Sequence, residues 1–245
     1  MMSDGPQSAF PAGSVDHKRY ENRGNPALLA LLPNTANRVL DIGCGAGDNA
    51  RLLKAMGLSV DGITLSEAEA TTARQVCGSV FVHDLESGLP PHLNTTYDAV
   101  VCSHVLEHLR WPDRLLKEVR EILRPNQGAL LVALPNVLFY KNRWRLLAGH
   151  FDYEESGLMD ASHFRWFTYA SSRRLLEIAG FEVLSHSGEG SFPLPFARKV
   201  LPQRLVAAVD NTAMSLLPGL FRVPASFVRQ AFFVSDPQNW LLGVS

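Results

Sequence analysis

The sequence lacks the features that would assign it to a membrane, to an oxidising compartment or to nucleic acid. It has no run of about 18 uncharged apolar residues, and its N-terminus has neither the basic nor the apolar region of a signal peptide. The formal net charge of −1 gives no overall basic character that would favour nucleic acid. Cys44, Cys77 and Cys102 are few, odd in number and without CxxC spacing, which favours a reducing compartment. We therefore expect a cytoplasmic protein with no nucleic-acid partner and no transmembrane span.

The chain alternates short apolar segments with helical patterns. Residues 1–18 are rich in Gly, Pro and Ser and are predicted to form a mobile tail, whereas 19–245 read as one domain. The predicted strands are Arg38–Gly43, Leu58–Ile63, Val80–His83, Tyr97–Cys102, Ala129–Leu134, Phe181–His186 and Val228–Val234. The predicted helices are Asn25–Pro33, Asp48–Met56, Ser66–Cys77, Pro112–Leu123 and Ser171–Ala179. Asn25 is predicted to cap the first of them, and Ser66 and Glu69 to form a capping box at the start of the third. Such alternation predicts an α/β domain with a parallel sheet covered on both faces.

Two stretches interrupt this alternation. Residues 136–167 are aromatic-rich and follow the carboxyl end of a strand, where open α/β sheets bind ligands. Residues 192–225 carry several prolines and amphipathic pieces, which indicate an inserted element. That element could be a lid, a homodimer contact, a membrane-surface segment or simple packing, and it would add a helical segment near the C-terminus.

The most specific motif is Val39-Leu40-Asp41-Ile42-Gly43-Cys44-Gly45-Ala46-Gly47. Glycines at alternate positions after an apolar strand let the backbone pass close to a ligand, because a Cβ there would collide with it. The spacing is GxGxG, whereas dinucleotide-binding enzymes use GxGxxG and place a pyrophosphate on the following helix. Asp48 begins that helix here and is a poor neighbour for a phosphate.

This motif resembles the first cofactor motif of the class I S-adenosylmethionine-dependent methyltransferases, and the resemblance extends from about Tyr20 to Gly188. It implies a doubly wound, Rossmann-like, seven-stranded and mostly parallel sheet, with S-adenosylmethionine as the cofactor. The relatives with further similarity are often associated with glycan and natural-product assembly. The implied contacts to the cofactor come from Tyr20, Arg23, Asp41, Gly43, Cys44, Gly45, Gly47, Thr64, Leu65, Ser66, Asp84, Leu85, Ser103 and His104.

The resemblance assigns separate parts of the cofactor to separate strand ends. Relatives usually carry a ribose-binding acid after the second strand, where Thr64 stands here, so Ser66 or a main-chain group would share that task. Asp84 is expected to accept a hydrogen bond from the adenine amino group, with Leu85 beside the ring. Ser103 and His104, at the end of the fourth strand, are expected to reach the methionine part.

Other methyltransferase chemistries lack their motifs in this sequence. It has no Asn/Asp-Pro-Pro-aromatic motif of the amino-methylating nucleic-acid enzymes and no Pro-Cys pair for attack on cytosine. It also lacks the carboxylate arrangement of the magnesium-dependent catechol-type enzymes, so we predict no metal.

Histidines are the candidates for removing a proton from the acceptor, because imidazole titrates near neutral pH. His104 lies at the strand end, His108 follows four residues later, and His163 lies in the 149–168 segment. That segment is similar to one in methyltransferases of glycan and natural-product assembly, and within it Asp160 could orient His163. Each of these residues could instead serve packing or hold the loop together. Asn136, Tyr140, Tyr153 and Arg165 are the predicted acceptor contacts.

Two classes of function remain open from the sequence. The first is an enzyme that methylates an oxygen, or a nitrogen, of a sugar, a glycan or a related small metabolite, or of a non-sugar natural product. The second is a catalytically silent methyltransferase-like binding module. The complete glycine motif, together with His104, Asp160 and His163, favours the enzyme.

Overall fold

The computed structural model describes residues 23–93, 96–125, 128–188 and 229–235. The predicted tail 1–18, Tyr20 and the segment 192–225, including its helical part, lie outside the described residues. Within the described part of the chain, no helix is both long enough and apolar enough to cross a membrane.

Five parallel strands form the centre of the sheet in the order β3-β2-β1-β4-β5. They are β1 (Arg38–Ile42), β2 (Ser59–Thr64), β3 (Ser79–Val82), β4 (Ala99–Ser103) and β5 (Ala129–Pro135). Beyond β5 the sheet continues with β7 (Arg229–Ser235) and then β6 (Glu182–Gly188), and β7 is antiparallel to both of its neighbours. The parallel α/β sheet predicted from the sequence is therefore confirmed.

Strands β1, β4 and β5 are buried on both faces, which explains their nearly continuous apolar composition, whereas β3 at the edge of the sheet is partly exposed. Leu40 and Ile42 of β1 point into one core, and Val39 points into the other. The helices that cover the sheet are α1 (Pro26–Leu29), α2 (Asp48–Ala55), α3 (Glu67–Ala73), α4 (Pro112–Ile122), α5 (Tyr140–Leu147) and α6 (Tyr169–Ile178), with 3-10 turns at Leu85–Ser87 and Leu106–His108. Residues of α4 and α6 lie in the core of Leu40, whereas residues of α1, α2 and α3 lie in the core of Val39.

Helix α3 differs from its prediction at both ends. Ser66 caps it by accepting a hydrogen bond from the Glu69 amide, at 3.4 Å, but the Glu69 carboxylate does not complete the predicted box and turns to Thr64 instead. The helix ends at Ala73 rather than at Cys77, because the amides of Gln75 and Val76 bond three residues back, which tightens the last turn.

The direction in which successive strands are added reverses between β1 and β4. From β1 the chain continues to β2 and β3 on one side of the sheet, and from β4 it continues to β5 on the other side. Ligands of open α/β sheets bind in the crevice outside the carboxyl ends of the strands at such a point. The glycine motif follows β1, and Ser103 ends β4, so both lie at this crevice.

Candidate functional site

The turn after β1 has three glycines with positive φ, and each meets different surroundings. A Cβ on Gly43 (φ +71°) would lie 2.4 Å from Val105 Cγ2, and one on Gly47 (φ +87°) would lie 2.8 Å from Val76 Cγ2. These two glycines therefore permit close packing within the protein. Among the described residues, a Cβ on Gly45 (φ +52°) would meet only the Glu69 carboxylate, at 3.8 Å or more. Gly45 thus presents its backbone to open space, as a cofactor-binding turn requires.

Asp41 lies beneath this turn and is fully buried, so it is not part of the cleft surface. Neither of its carboxylate oxygens has a hydrogen-bond partner within bonding distance among the described residues. Burial raises the pKa of Asp41 to about 7; the nearby Asn49 amide offsets part of this effect, and the charge of Asp48 adds to it.

The end of β2 places Thr64, Leu65 and Ser66 on the cleft wall. Thr64 Oγ1 donates to Oε2 of Glu69 at 3.0 Å, and Glu69 is itself only 8% exposed. A carboxylate therefore does face this part of the cleft, but it comes from α3 instead of the strand end.

Asp84 and Leu85 lie on the cleft wall after β3, as the sequence places them. Asp84 is exposed, and its Oδ1 accepts a hydrogen bond from the Glu86 amide at 2.9 Å, which caps the 3-10 turn Leu85–Ser87. The second carboxylate oxygen accepts no hydrogen bond from the described residues.

At the end of β4, Ser103 contacts the N-terminus of α1. Asn25 Nδ2 donates to Ser103 Oγ at 3.5 Å, and the Asn25 amide donates to Asn49 Oδ1 at 2.8 Å. Asn25 is 2% exposed and lines the cleft, so it joins β4 to α2 at the edge of the glycine turn. Arg23 is exposed and is not among the lining residues.

His104 is the single non-glycine residue with positive φ (+58°) in the described ranges. Such a conformation is unfavourable for an L-residue and tends to occur at functional sites. Its Nδ1 lies 3.1 Å from Oε1 of Glu107, which is completely buried. Burial alone would raise the pKa of Glu107, but the hydrogen bond and charge of His104 and the charge of His108 outweigh it, so the pKa is lowered.

His108 and His163 approach each other in the part of the cleft where the sequence predicts the acceptor. Their ring centroids are 4.7 Å apart in an edge-to-face arrangement. His163 Nδ1 lies 3.2 Å from the Leu158 carbonyl oxygen, and burial lowers the pKa of His163. Asp160 Oδ1 accepts hydrogen bonds from the Ser162 amide and from Ser162 Oγ, at 2.9 and 2.6 Å. The orienting contact at His163 Nδ1 is thus the Leu158 carbonyl.

The 158–165 loop is held against the end of β4 through the backbone of Glu107. The amides of Phe164 and Arg165 both donate to the Glu107 carbonyl oxygen, at 2.9 and 3.1 Å. This anchor brings His163 to the strand end that carries His104 and His108.

One cleft of about 1390 Å³ is lined by most of these residues, with Asp41 and Arg23 as exceptions. A single small-molecule site is typically roughly 300–1,000 Å³, so this volume accommodates a cofactor and an acceptor together. The half where the sequence predicts the cofactor is lined by Gly43, Cys44, Gly45, Thr64, Leu65, Ser66, Asp84, Leu85 and Ser103. The half where the sequence predicts the acceptor is lined by His104, Glu107, His108, Asp160 and His163.

Several predicted contacts lie outside the cleft wall. Gly47 is buried against α3. Asn136 is 2% exposed, and its Oδ1 accepts from the Leu138 amide at 3.0 Å. Tyr153 packs its ring against Phe151. Arg165 donates two hydrogen bonds to the Arg110 carbonyl oxygen, at 3.2 and 2.7 Å.

Gly47, Asn136, Tyr153 and Arg165 are not among the cleft-lining residues in the described ranges. Tyr140 is the first residue of α5.

Sequence reasoning missed three residues of the site: Asn25, Glu69 and Glu107. Asn25 was interpreted only as a helix cap, and Glu69 only as a capping-box partner. Glu107 lies between two candidate histidines in Ser103-His104-Val105-Leu106-Glu107-His108, so its position was a usable signal. A charged residue in an otherwise apolar segment after a buried strand indicates a paired, functional carboxylate.

Curated relatives match part of the chain. A ubiquinone biosynthesis O-methyltransferase of Paraburkholderia xenovorans (strain LB400) is 32% identical over 103 residues, which are 37% of this chain and 41% of that protein. The one of Xanthomonas axonopodis pv. citri (strain 306) is 28% identical over 144 residues, 54% of each chain. The chain thus spans about half the length of the curated relatives it matches, or less.

Solved structures share the fold over most of the chain. A SAM-dependent methyltransferase from Archaeoglobus fulgidus has a TM-score of 0.56 and 17% identity, with 85% of this chain and 90% of that chain covered. The magnesium protoporphyrin IX methyltransferase of Synechocystis PCC 6803, solved with bound SAH, has a TM-score of 0.53 and 17% identity, with 85% and 78% covered.

A family model described as a methyltransferase domain matches residues 15–186, which include the glycine turn, the strand ends and the His163 loop. The chain therefore belongs to the methyltransferase-domain family, within the class I S-adenosylmethionine-dependent methyltransferases.

Proposed function

We propose that this chain transfers the methyl group of S-adenosylmethionine to a hydroxyl oxygen of a small acceptor. The observation that carries the proposal is the position of the His104–Glu107 pair beside the glycine turn. Val105 packs against Gly43 of the glycine turn. His104 directly precedes Val105 and His108 follows three residues later, so both histidines lie close to that turn. The ubiquinone biosynthesis relatives are O-methyltransferases by name, which supports oxygen as the acceptor atom.

The cofactor half of the cleft fits S-adenosylmethionine. The open backbone at Gly45 would take the methionine part, the Glu69 carboxylate the ribose hydroxyls, and Asp84 the adenine amino group. The cofactor supplies a methyl group that is activated by a positively charged sulfur.

In this proposal His104 removes the proton of the acceptor hydroxyl. Glu107 holds the imidazole through Nδ1 at 3.1 Å, as an orienting carboxylate does in other acid–base pairs. His104 Nε2 is buried and has no hydrogen-bond partner among the described residues. The side chain as a whole is 36% exposed, so a turn of the imidazole toward the cleft would let an acceptor hydroxyl satisfy this atom. The buried Glu107 carboxylate also stabilises the imidazolium that forms. Positioning acceptor and methyl in line supplies the rest of the rate.

The comparisons favour oxygen but give no support to the sugar or glycan acceptor that the sequence suggested. A direct test incubates the protein with methyl-labelled S-adenosylmethionine and separate panels of phenols, catechols, sugars and nucleotide sugars. We expect base-stable transfer to hydroxyl oxygen in at least one panel and loss of transfer in His104→Asn. Tight binding of S-adenosylhomocysteine with no transfer to any acceptor would contradict the proposal and favour a silent binding module.

A further inference from the structure

Glu107, His108 and His163 form a cluster in which each residue offers a ligand atom within 4.8 Å of the others. Glu107 and His163 are buried, at 0% and 7% exposure, and His108 is half-buried. The sequence predicted no metal, because the carboxylate arrangement of magnesium-dependent relatives is missing. Two imidazoles and one carboxylate are a different donor set, suited to transition metals.

The two oxygens of the Glu107 carboxylate have different surroundings. Oε1 contacts His104, whereas Oε2 is buried and has no hydrogen-bond partner in the described part of the chain. A buried carboxylate oxygen left unpaired costs free energy that a bound cation would recover.

The Nδ1 atoms of His108 and His163 both have hydrogen-bond partners within the protein, and these partners determine which nitrogen of each neutral ring keeps its lone pair. A carbonyl oxygen only accepts hydrogen bonds, so the neutral His163 ring carries its proton on Nδ1, 3.2 Å from the Leu158 oxygen. Its Nε2 therefore keeps a free lone pair.

The same reasoning applies to His108. Its Nδ1 lies 3.2 Å from Ser162 Oγ and 3.4 Å from the Ser162 carbonyl oxygen. Because Ser162 Oγ donates its own hydrogen to Asp160 at 2.6 Å, it accepts from His108. In metal-binding histidines, the ring nitrogen that does not bind the metal characteristically donates its N–H to a hydrogen-bond acceptor such as a backbone carbonyl oxygen.

We propose that Glu107, His108 and His163 bind one divalent transition-metal ion, of the Zn²⁺ type, on the acceptor side of the cleft. Catalytic zinc sites have three protein ligands, often two histidines and a glutamate, and keep a fourth position open. In this site the open position faces the cleft and takes the acceptor's hydroxyl oxygen. This role rests on the proposed function, whereas metal binding itself does not.

The chemical consequence is a lower pKa for the acceptor hydroxyl, because a bound cation stabilises the oxyanion. The hydroxyl proton passes to His104 Nε2, the oxygen forms a bond to the methyl carbon, and the carbon–sulfur bond breaks with its electron pair on sulfur. Glu107 serves both parts of the site, with Oε1 on His104 and Oε2 on the metal.

The test uses full-length protein stripped with a chelator and titrated with Zn²⁺ and, separately, with Co²⁺, whose visible absorption reports its ligands. We expect one ion per chain, an intense four-coordinate Co²⁺ spectrum, and affinity weakened by more than about 100-fold in His163→Gln and in Glu107→Gln. Ser162→Ala, which removes the hydroxyl that contacts both His108 and Asp160 but leaves the three proposed ligands in place, is expected to weaken binding by roughly 10–100-fold. The exposed His92→Ala is the matched control and should bind like the wild type.

S-Adenosylhomocysteine binding by each variant shows that it is folded. Zn²⁺ binding that is equal in wild type and His163→Gln, or absent in folded wild type, would overturn the metal site. Methyl transfer that persists unchanged in metal-free protein would overturn its role while the proposed function stands. Zn²⁺ binding that is weakened in His163→Gln and Glu107→Gln, without methyl transfer to any acceptor, would instead support the metal site and contradict the proposed function.

Discussion

Thr64 Oγ1 donates a 3.0 Å hydrogen bond to Oε2 of Glu69, so a carboxylate from α3 lies where the strand end carries none. The resemblance places ribose recognition at the end of β2, where relatives usually have an acid. Glu69 is buried, lines the cleft and faces Gly45, which makes it the group suited to that task. Thr64 would then position the carboxylate.

This relationship predicts that Glu69→Ala weakens binding of S-adenosylhomocysteine by roughly 10–100-fold, since a hydrogen bond to a charged group contributes about 1.5–3 kcal/mol. Glu67→Ala is the matched control, because Glu67 lies on the same helix with its side chain 65% exposed. Calorimetric titration of both variants measures the effect. Equal affinities would move ribose recognition to Ser66 or to the main chain.

Gly45→Val is expected to abolish cofactor binding, because its side chain would enter the cleft at a position where no atom of the described residues is closer than 3.8 Å. The strain of a positive φ is a separate effect, and Gly57→Val controls for it. Gly57 has φ +85° with nothing within 4 Å of its Cβ, and it is not a lining residue. Both variants should lose similar stability, whereas only Gly45→Val should lose S-adenosylhomocysteine binding. Near-normal affinity in Gly45→Val would remove Gly45 from the cofactor site.

The pattern of apolar segments and glycines was enough to predict the parallel sheet and the position of the glycine turn. Both depend on short-range rules: buried strands read as continuous apolar runs, and a backbone turn against a ligand requires glycine. The placement of Asn25 on Ser103 could not be predicted in this way, because it depends on how α1 docks against the sheet.

The acceptor side was less predictable for a similar reason. His163 meets His108 because the 158–165 loop binds the Glu107 carbonyl, a contact between distant parts of the chain that no local pattern encodes. Asn136 looked like an acceptor contact, yet it turns back to its own backbone, as asparagine often does after a strand.

His104→Asn is expected to lower turnover by about 10²–10⁴-fold, the usual contribution of a positioned base. Asparagine tolerates the positive φ of this position, so the backbone should be retained. Single-turnover methyl transfer measures the rate, and His92→Asn, at an exposed position, is the matched control. An unchanged rate would exclude His104 as the base.

Asp41 gives a prediction for the dependence of stability on pH. Its pKa is about 7 in the folded chain against an ordinary value of 3.8, so folded protein keeps this proton where unfolded protein has lost it. The free energy of unfolding should therefore fall as the pH rises from about 4 to about 7 and level off above that. Asp41→Asn stays neutral throughout and should lack this loss, which amounts to as much as roughly 4 kcal/mol.

Urea unfolding of wild type and Asp41→Asn at pH 5 and pH 8 measures the difference. The variant should gain stability relative to wild type at pH 8, because the wild-type carboxylate is then ionised in a fully buried place without a hydrogen-bond partner among the described residues. Asp152→Asn, whose aspartate side chain is 65% exposed, should follow the wild type at both pH values. Parallel pH dependence in wild type and Asp41→Asn would mean that Asp41 is ionised in the folded chain, and a cation near the glycine turn would then have to compensate it.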